Sequence, residues 1–179
     1  MGNSSLLVAL EEFYLKENLL IFILGAAVII ALDQITKSAV MARFSLHETL
    51  EIIPGLFNLV YVMNPGAAFG FLADASPTFR YIFFIGVTIL AAGLIVYYLV
   101  KSNPRNLMLA GSLTLIFGGA VGNLIDRIRF GAVVDFLDVY LGASHWPAFN
   151  VAGSAITVGA ILMIWEMLRN RKSQPTSPT

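Results

Sequence analysis

The sequence has little charge and no cysteine, and each shortage excludes a class of protein. Of its 179 residues 12% are charged, against roughly 25% in a typical soluble domain. With 58% hydrophobic residues, the chain lacks the polar groups that would cover a water-exposed surface, so its composition predicts a membrane protein. The absence of cysteine excludes disulfides, thiolate metal sites and a cysteine nucleophile.

The sequence also has only two histidines and no net charge. His47 and His145 are far apart in the sequence, and no cluster of histidine and cysteine has metal-ligand spacing. We therefore expect no metal site and no cofactor. A net charge of zero gives no strong field to attract nucleic acid, so no nucleic-acid partner is expected. No cleavable signal peptide is evident, because the first apolar run begins late and lacks a clear small-residue cleavage site.

Long hydrophobic runs are what the sequence has in abundance. A membrane-spanning helix needs about 20 mainly apolar residues. Four segments meet this requirement, at about 18–41, 81–100, 106–125 and 149–168. The fold class is therefore an all-α membrane protein with four transmembrane helices. We expect one four-span domain over 18–168, preceded by a segment (1–17) that is interfacial and followed by a disordered tail (169–179).

The basic residues predict the orientation, because cytoplasmic loops carry an excess of lysine and arginine. With four spans, the basic residues near the span ends fall on one side: Lys16, Lys101, Arg105, Arg169, Arg171 and Lys172. Both termini are then cytoplasmic, and the connections 42–79 and 126–148 face the other side. The first connection has short β-branched and aromatic runs between glycine and proline breakers, which predicts strands and turns. Residues 133–141 fit either a short amphipathic helix or an extended segment.

Polar residues inside or beside the spans are costly in lipid and therefore candidates for a site. Asp33 and Lys37 lie four apart on one helix face and can pair, either as a structural ion pair or as part of a site. Asn150 can cap the fourth helix. The polar residues at the outer ends of the spans suggest a shared site: Asn64, Asn123, Asp126, Arg127, Asp135 and Asn150.

Other local patterns carry less chemistry. Asp126 and Arg127 are neighbours, so on a helix they point about 100° apart and are expected to pair with different elements. Gly118 and Gly122 have the small-xxx-small spacing that lets helices approach closely, and we interpret it as packing. Ser144 beside His145, and Ser38 beside Lys37, do not qualify as nucleophile and base, because adjacent side chains do not meet as that chemistry requires.

Five motifs in register resemble those of the bacterial lipoprotein signal peptidases, signal peptidase II. They are LDQITK (32–37), NPGAAF (64–69), GGAVGNLIDR (118–127), GAVVDF (131–136) and PAFNVA with SAIT on either side of position 153. The match covers roughly residues 20–168. Any one motif would be weak evidence, but order, spacing and the number of spans all agree.

The resemblance implies an intramembrane aspartic endopeptidase of the bacterial inner membrane. Such an enzyme cleaves signal peptides from diacylglyceryl-modified prolipoproteins among membrane lipids, needs no metal and is inhibited by globomycin-type antibiotics. Its site lies at the periplasmic face, with a small periplasmic β-rich element and a short periplasmic helix or loop. We expect a monomer. By resemblance, Asp135 is a catalytic aspartate. Site-shaping positions match Asn64, Gly66, Asn123, Asp126, Arg127, Asn150, Asp33 and Lys37.

The chain departs from the family pattern at one position. The pattern FN-x-AD-S reads FNVAGS here, so Gly153 stands where the second catalytic aspartate is expected. Three interpretations follow: an inactive variant, natural or deliberate; rescue by Asp138, which would share a helix face with Asp135; or a non-catalytic protein that binds lipoprotein precursors. Two close carboxylates share a proton and divide the roles of acid and base, which a single one cannot do.

Overall fold

A computed structural model of the chain describes residues 2–66, 71–72, 74–101 and 106–172, with the backbone alone for 2–13, 171 and 172. Residues 173–179 of the predicted disordered tail lie outside the described residues. Residues 67–69 of the NPGAAF motif and Arg105 lie outside them as well.

Four long helices make up most of the described chain, and they confirm the predicted spans. They are α1 (Gly2–Arg43), α2 (Pro77–Lys101), α3 (Leu107–Phe130) and α4 (Val151–Lys172). The stretches long and apolar enough to cross a membrane are Tyr14–Arg43, Pro77–Lys101, Leu107–Phe130 and Val151–Asn170. Residues 2–17, predicted as a separate segment, continue α1 without a break. Residues 169–172 continue α4 in the same way.

Helix α3 is the central helix, since it packs against each of the other three. Its glycines allow this close approach. A Cβ at Gly118 would lie 2.9 Å from Ile29 of α1, and one at Gly119 would collide with the Ala152 carbonyl oxygen of α4. A Cβ at Gly122 would lie 2.8 Å from a carboxylate oxygen of Asp33. The predicted packing role of these glycines is therefore confirmed.

A four-stranded antiparallel sheet occupies one end of the helices. The strands are β1 (Thr49–Ile53), β2 (Phe57–Asn64), β3 (Val133–Leu141) and β4 (Ser144–His145), in that order across the sheet. Glycines with positive φ make the tight turns, Gly55 (φ 77°) between β1 and β2 and Gly142 (φ 60°) between β3 and β4. The predicted strands of the first connection are confirmed, and residues 133–141 adopt the extended alternative.

The first half of β3 joins the sheet to the helices. Helix α3 ends at Phe130 and is capped by Gly131, whose left-handed conformation (φ 73°) lets its N–H donate to the Arg127 carbonyl and turns the chain into β3. Val133 to Phe136 are then buried, and Val134 has no exposed surface. The far end of the strand lies outside the bundle, where the Leu141 side chain is 79% exposed. Strand β3 therefore carries its first residues into the space between the helix ends.

Candidate active site

Asp135 is the most deeply placed acid of the sheet. It lies on β3 opposite Val62 of β2, and only 5% of its surface is exposed. One carboxylate oxygen accepts from Nδ2 of Asn64 at 2.9 Å, and the other accepts from Nδ2 of Asn150 at 2.7 Å. Two amide side chains from different elements therefore fix the position of this carboxyl group.

Burial changes the acidity of this group. Withdrawal from water disfavours the charged form and raises the pKa of the Asp135 carboxyl from its ordinary value of 3.8 to about 6. The hydrogen bond from Asn64 and the charges of Lys37 and Arg127 act in the opposite direction and limit the rise. Asp135 therefore changes its charge near neutral pH, as an acid–base group must.

Asn150 connects Asp135 to the start of α4. Its Oδ1 accepts from the N–H of Gly153 at 2.7 Å, which confirms the predicted helix cap. Its Nδ2 also faces the Val134 carbonyl at 3.0 Å and Oδ1 of Asn123 at 3.1 Å. One amide side chain thus joins β3, α3 and α4 around the carboxyl group.

Position 153 has room for a side chain. A Cβ built on Gly153 would meet only Oδ1 of Asn150 at 3.4 Å and Cβ of Phe149 at 3.9 Å, which are ordinary contacts. Its backbone is helical and has no positive φ that would favour glycine. Gly119 and Gly159 differ, since a Cβ there would collide with backbone carbonyl oxygens. Neither space nor backbone conformation requires glycine at 153.

A buried ion cluster contacts Asn123, which in turn contacts Asn150. Nζ of Lys37 lies 2.7 Å from Asp33, 2.8 Å from Asp126 and 3.0 Å from Oδ1 of Asn123. The pairing predicted for Asp33 and Lys37 is confirmed, and it includes Asp126 as well. All three charged side chains are at most 1% exposed.

Further hydrogen bonds stabilise both carboxylates of this cluster. Oδ1 of Asp33 accepts from the backbone N–H of Ala152 at 2.9 Å. Asp126 accepts from the N–H of Val134 at 3.1 Å and from Nε2 of Gln34 at 2.9 Å. A buried charge is tolerated only when it is paired and hydrogen-bonded, and both conditions are met. The cluster therefore holds α1, α3, α4 and β3 in one arrangement.

Arg127 points away from its neighbour Asp126, as the helical geometry predicted. It donates to the Gly66 carbonyl at 3.2 Å, and its guanidinium lies 4.5 Å from the ring centroid of Phe84 on α2. The N–H of Gly66 in turn donates to Oδ1 of Asn64 at 3.0 Å. Arg127 therefore orients, through Gly66, the amide that holds Asp135.

Asp138 lies on the opposite face of β3 from Asp135. Residues three apart share a face on a helix but not on a strand, where side chains alternate. Asp138 accepts from Nδ2 of Asn58 at 2.9 Å and contacts Nδ1 of His145 at 2.9 Å. Rescue by Asp138 requires Asp138 to share a face with Asp135. That prediction is wrong, because this segment is a strand.

All the polar residues predicted to share a site belong to one contiguous network. Sequence reasoning missed Gln34, which lies within the LDQITK motif, and Glu166, a charge inside the fourth span. Glu166 is 3% exposed and accepts from Asn106 at 2.9 Å, far along α3 from the Asp135 network. The rule that a charge within a span is a candidate would have found it. Among the described residues, no group of three or more histidine or acidic side chains is arranged to hold a metal ion.

Comparison with known proteins agrees with this architecture. A sequence model described as signal peptidase (SPase) II matches residues 25–169. A lipoprotein signal peptidase of Syntrophus aciditrophicus is 50% identical over 160 residues, covering 89% of this chain and 99% of that protein. One of Desulforapulum autotrophicum is 51% identical over 148 residues, covering 83% and 91%. A bacterial membrane enzyme solved by the in meso method superposes with a TM-score of 0.78 at 33% identity, over 88% of this chain and 93% of that one.

Proposed function

The chain belongs to the signal peptidase II family, and from this membership we propose an aspartic endopeptidase site that acts on diacylglyceryl-modified prolipoproteins. The observation that carries the proposal is the buried Asp135, held by Asn64 and Asn150 at the end of the spanning helices. A lipid-modified substrate suits this location, since its acyl chains stay among the helices while the scissile peptide bond reaches the polar end.

Two carboxyl groups would divide the chemistry. The ionised one takes a proton from the attacking water, and the protonated one donates a hydrogen bond to the scissile carbonyl oxygen. Asp135, with its raised pKa, is suited to hold the shared proton. Its partner would extend from position 153, which the Asn150 side chain joins to Asp135. No acyl-enzyme is needed, because water is the nucleophile.

Gly153 therefore leaves this site incomplete, and we expect the present chain to be inactive or severely impaired. A positioned acid–base partner typically contributes about 10²–10⁴ in rate. The surrounding contacts do not depend on a side chain at 153: the cap uses only the backbone N–H of Gly153, and the ion cluster uses other residues. The fold and the hydrogen bonds around Asp135 should therefore persist without activity.

The remaining parts of the proposal follow from the family and from charge. The chain resides in the bacterial inner membrane as a monomer, with both termini cytoplasmic and the sheet periplasmic. It binds globomycin-type inhibitors at the Asp135 site. Asn64, Gly66, Asn123, Asp126, Arg127, Asn150, Asp33 and Lys37 shape this site, and Asp135 is its remaining catalytic residue.

Restoring the acid tests both the family chemistry and the inactivity. Purified present chain and a Gly153→Asp variant would be given a diacylglyceryl-modified prolipoprotein in detergent, with cleavage followed by mass spectrometry. We expect the variant to cleave at least about 10²-fold faster, the lower limit for an acid–base partner. Gly153→Asn, of nearly the same shape but without an acid, is the matched control and should stay inactive.

The outcomes separate the alternatives. Cleavage by the present chain at the rate of Gly153→Asp would overturn the inactivity. No cleavage by Gly153→Asp would overturn the aspartic mechanism and favour a protein that only binds lipoprotein precursors. The observation that favours this second function is that Asn64 and Asn150 still hold Asp135 although position 153 has no acid.

A further inference from the structure

The side chain that is missing at Gly153 has the size of a small molecule. An aspartate side chain is a CH₂ group carrying a carboxylate, so acetate has the same heavy atoms. Position 153 is half-buried, and its Cβ site is free of clashes. The nearest atoms to that Cβ position, Oδ1 of Asn150 and Cβ of Phe149, are at ordinary contact distances.

The Asn150 side chain lies between position 153 and Asp135. Asn150 spans from the N–H of Gly153 to the carboxyl group of Asp135 with contacts of 2.7 Å at both ends. A group seated at the missing side chain therefore lies next to the amide that holds Asp135.

Charge allows an acid to enter. Two carboxyl groups can lie together when they share one proton, and Asp135 is protonated in a substantial fraction of molecules near pH 6. The incoming carboxylate also lies at the first turn of α4, where a negative charge is favoured. An added carboxylate therefore lies beside an Asp135 that is neutral in a substantial fraction of molecules, and beside the N-terminus of α4, which favours negative charge.

We propose that the space at Gly153 is a binding site for small monocarboxylic acids, and that acetate bound there restores peptide hydrolysis. This inference rests on the proposed function, since it takes Asp135 to be half of an acid–base pair.

The restored step balances without a further reactant. Bound acetate takes a proton from water as the water oxygen bonds to the scissile carbonyl carbon, and Asp135 gives its proton to the carbonyl oxygen. On collapse the C–N bond breaks, the amine leaves with the proton held by acetic acid, and Asp135 recovers a proton from the hydroxyl of the intermediate. Acetate is released unchanged, and the net reaction is amide plus water to acid plus amine.

The test is cleavage of the modified prolipoprotein by the present chain at pH 6 in rising sodium acetate, with sodium chloride at equal ionic strength as the control. We expect saturable activation of about 10-fold or more, a fraction of what a fixed acid–base partner supplies. Gly153→Asn fills the space without an acid and should show no activation. Gly153→Asp should be active without acetate.

Acid size gives a second, independent measurement. Gly153→Ala adds the Cβ that acetate's methyl group would otherwise occupy, so its space fits formate but not acetate. We expect acetate to activate the present chain at least as well as formate, and formate alone to activate Gly153→Ala. Butyrate should activate neither.

Two results would overturn the inference. If Gly153→Asp is active and the present chain gains nothing from acetate over chloride, the space binds no acid productively while the proposed function stands. If acetate activates Gly153→Asn equally, the effect is not at this space. Inactive Gly153→Asp would remove the inference together with the proposed function.

Discussion

The carboxyl group of Asp135 accepts hydrogen bonds from two amide side chains and is almost completely withdrawn from water. These two influences oppose each other, since hydrogen bonds favour the charged form and burial the neutral one. Burial prevails, and the pKa rises to about 6. An acid that is half protonated near neutrality can donate or accept, so its role depends on what stands beside it.

The raised pKa predicts how stability changes with pH. In the unfolded chain Asp135 titrates near 3.9, so its folded form binds the proton more tightly. Its contribution to stability is complete below about pH 4 and is lost as pH rises through 6, for about 3 kcal/mol in total. Thermal unfolding in detergent should show the stability of the present chain falling from pH 4 to pH 7 relative to Asp135→Asn.

The comparison with Asp135→Asn cancels the pH-dependent contributions of all the groups that the two proteins share. Asp138→Asn should leave the pH-dependent difference in place. A difference that grows in favour of the present chain as pH rises would contradict the prediction, since it would mean that folding stabilises the charged form of Asp135.

At the scale of single residues, the sequence was informative wherever a local rule applied. The cap at Asn150 follows from the residue type at the start of a helix, and the pair of Asp33 with Lys37 follows from spacing along one helix. The placement of Asp138 did not, because the side on which it emerges depends on whether its segment is helix or strand. That choice is made by pairing with β2, which lies more than 70 residues earlier in the chain.

At the scale of elements, glycines determine how closely the helices approach. Gly119 faces the Ala152 carbonyl, so the backbones of α3 and α4 lie together where the chain turns toward the site. Spans of about 20 apolar residues predict such helices directly from the sequence. The partners of each glycine could not be predicted, since they depend on which faces meet.

This close approach predicts a difference between two similar substitutions. Gly119→Ala introduces a Cβ that overlaps backbone and should destabilise the protein by about 1–3 kcal/mol, as overpacking does. Gly111→Ala on the same helix meets nothing within 4 Å and is the matched control. Thermal unfolding of both variants in detergent would measure this difference. Equal stability of Gly119→Ala and Gly111→Ala would contradict the prediction and show that α4 can shift away without cost.

At the scale of the whole molecule, polar groups are gathered at both ends of an apolar bundle. At one end are the sheet, Asp135 and the ion cluster of Lys37. At the other, buried Glu166 accepts from Asn106 and Asn170 and pairs with Arg169 at 2.8 Å. The gathering of polar residues at one depth was predicted from the sequence. The branching of Lys37 between two carboxylates was not, because one partner comes from a distant helix.

The basic residues predict which end faces the cytoplasm. The chain has no cysteine, so single cysteines can report on each end without background. Exposed Ser144 on β4 and exposed Lys101 at the end of α2 lie at opposite ends. In spheroplasts, a membrane-impermeant maleimide should label Ser144→Cys and not Lys101→Cys. Labelling of Lys101→Cys alone would reverse the orientation, and permeabilised cells supply the control for reactivity.

The free space at Gly153 has a genetic consequence. Each aspartate codon becomes a glycine codon by one base change (GAU to GGU, GAC to GGC), so a point mutation is enough to remove the acid, and the reverse change at GGU or GGC returns it. Because Asn150 caps α4 through a backbone N–H and the ion cluster uses other residues, we expect the encoded fold to be the same on either side of that mutation. If the second carboxylate acts as proposed, a gene with a GGU or GGC codon here is one base change away from restoring the acid.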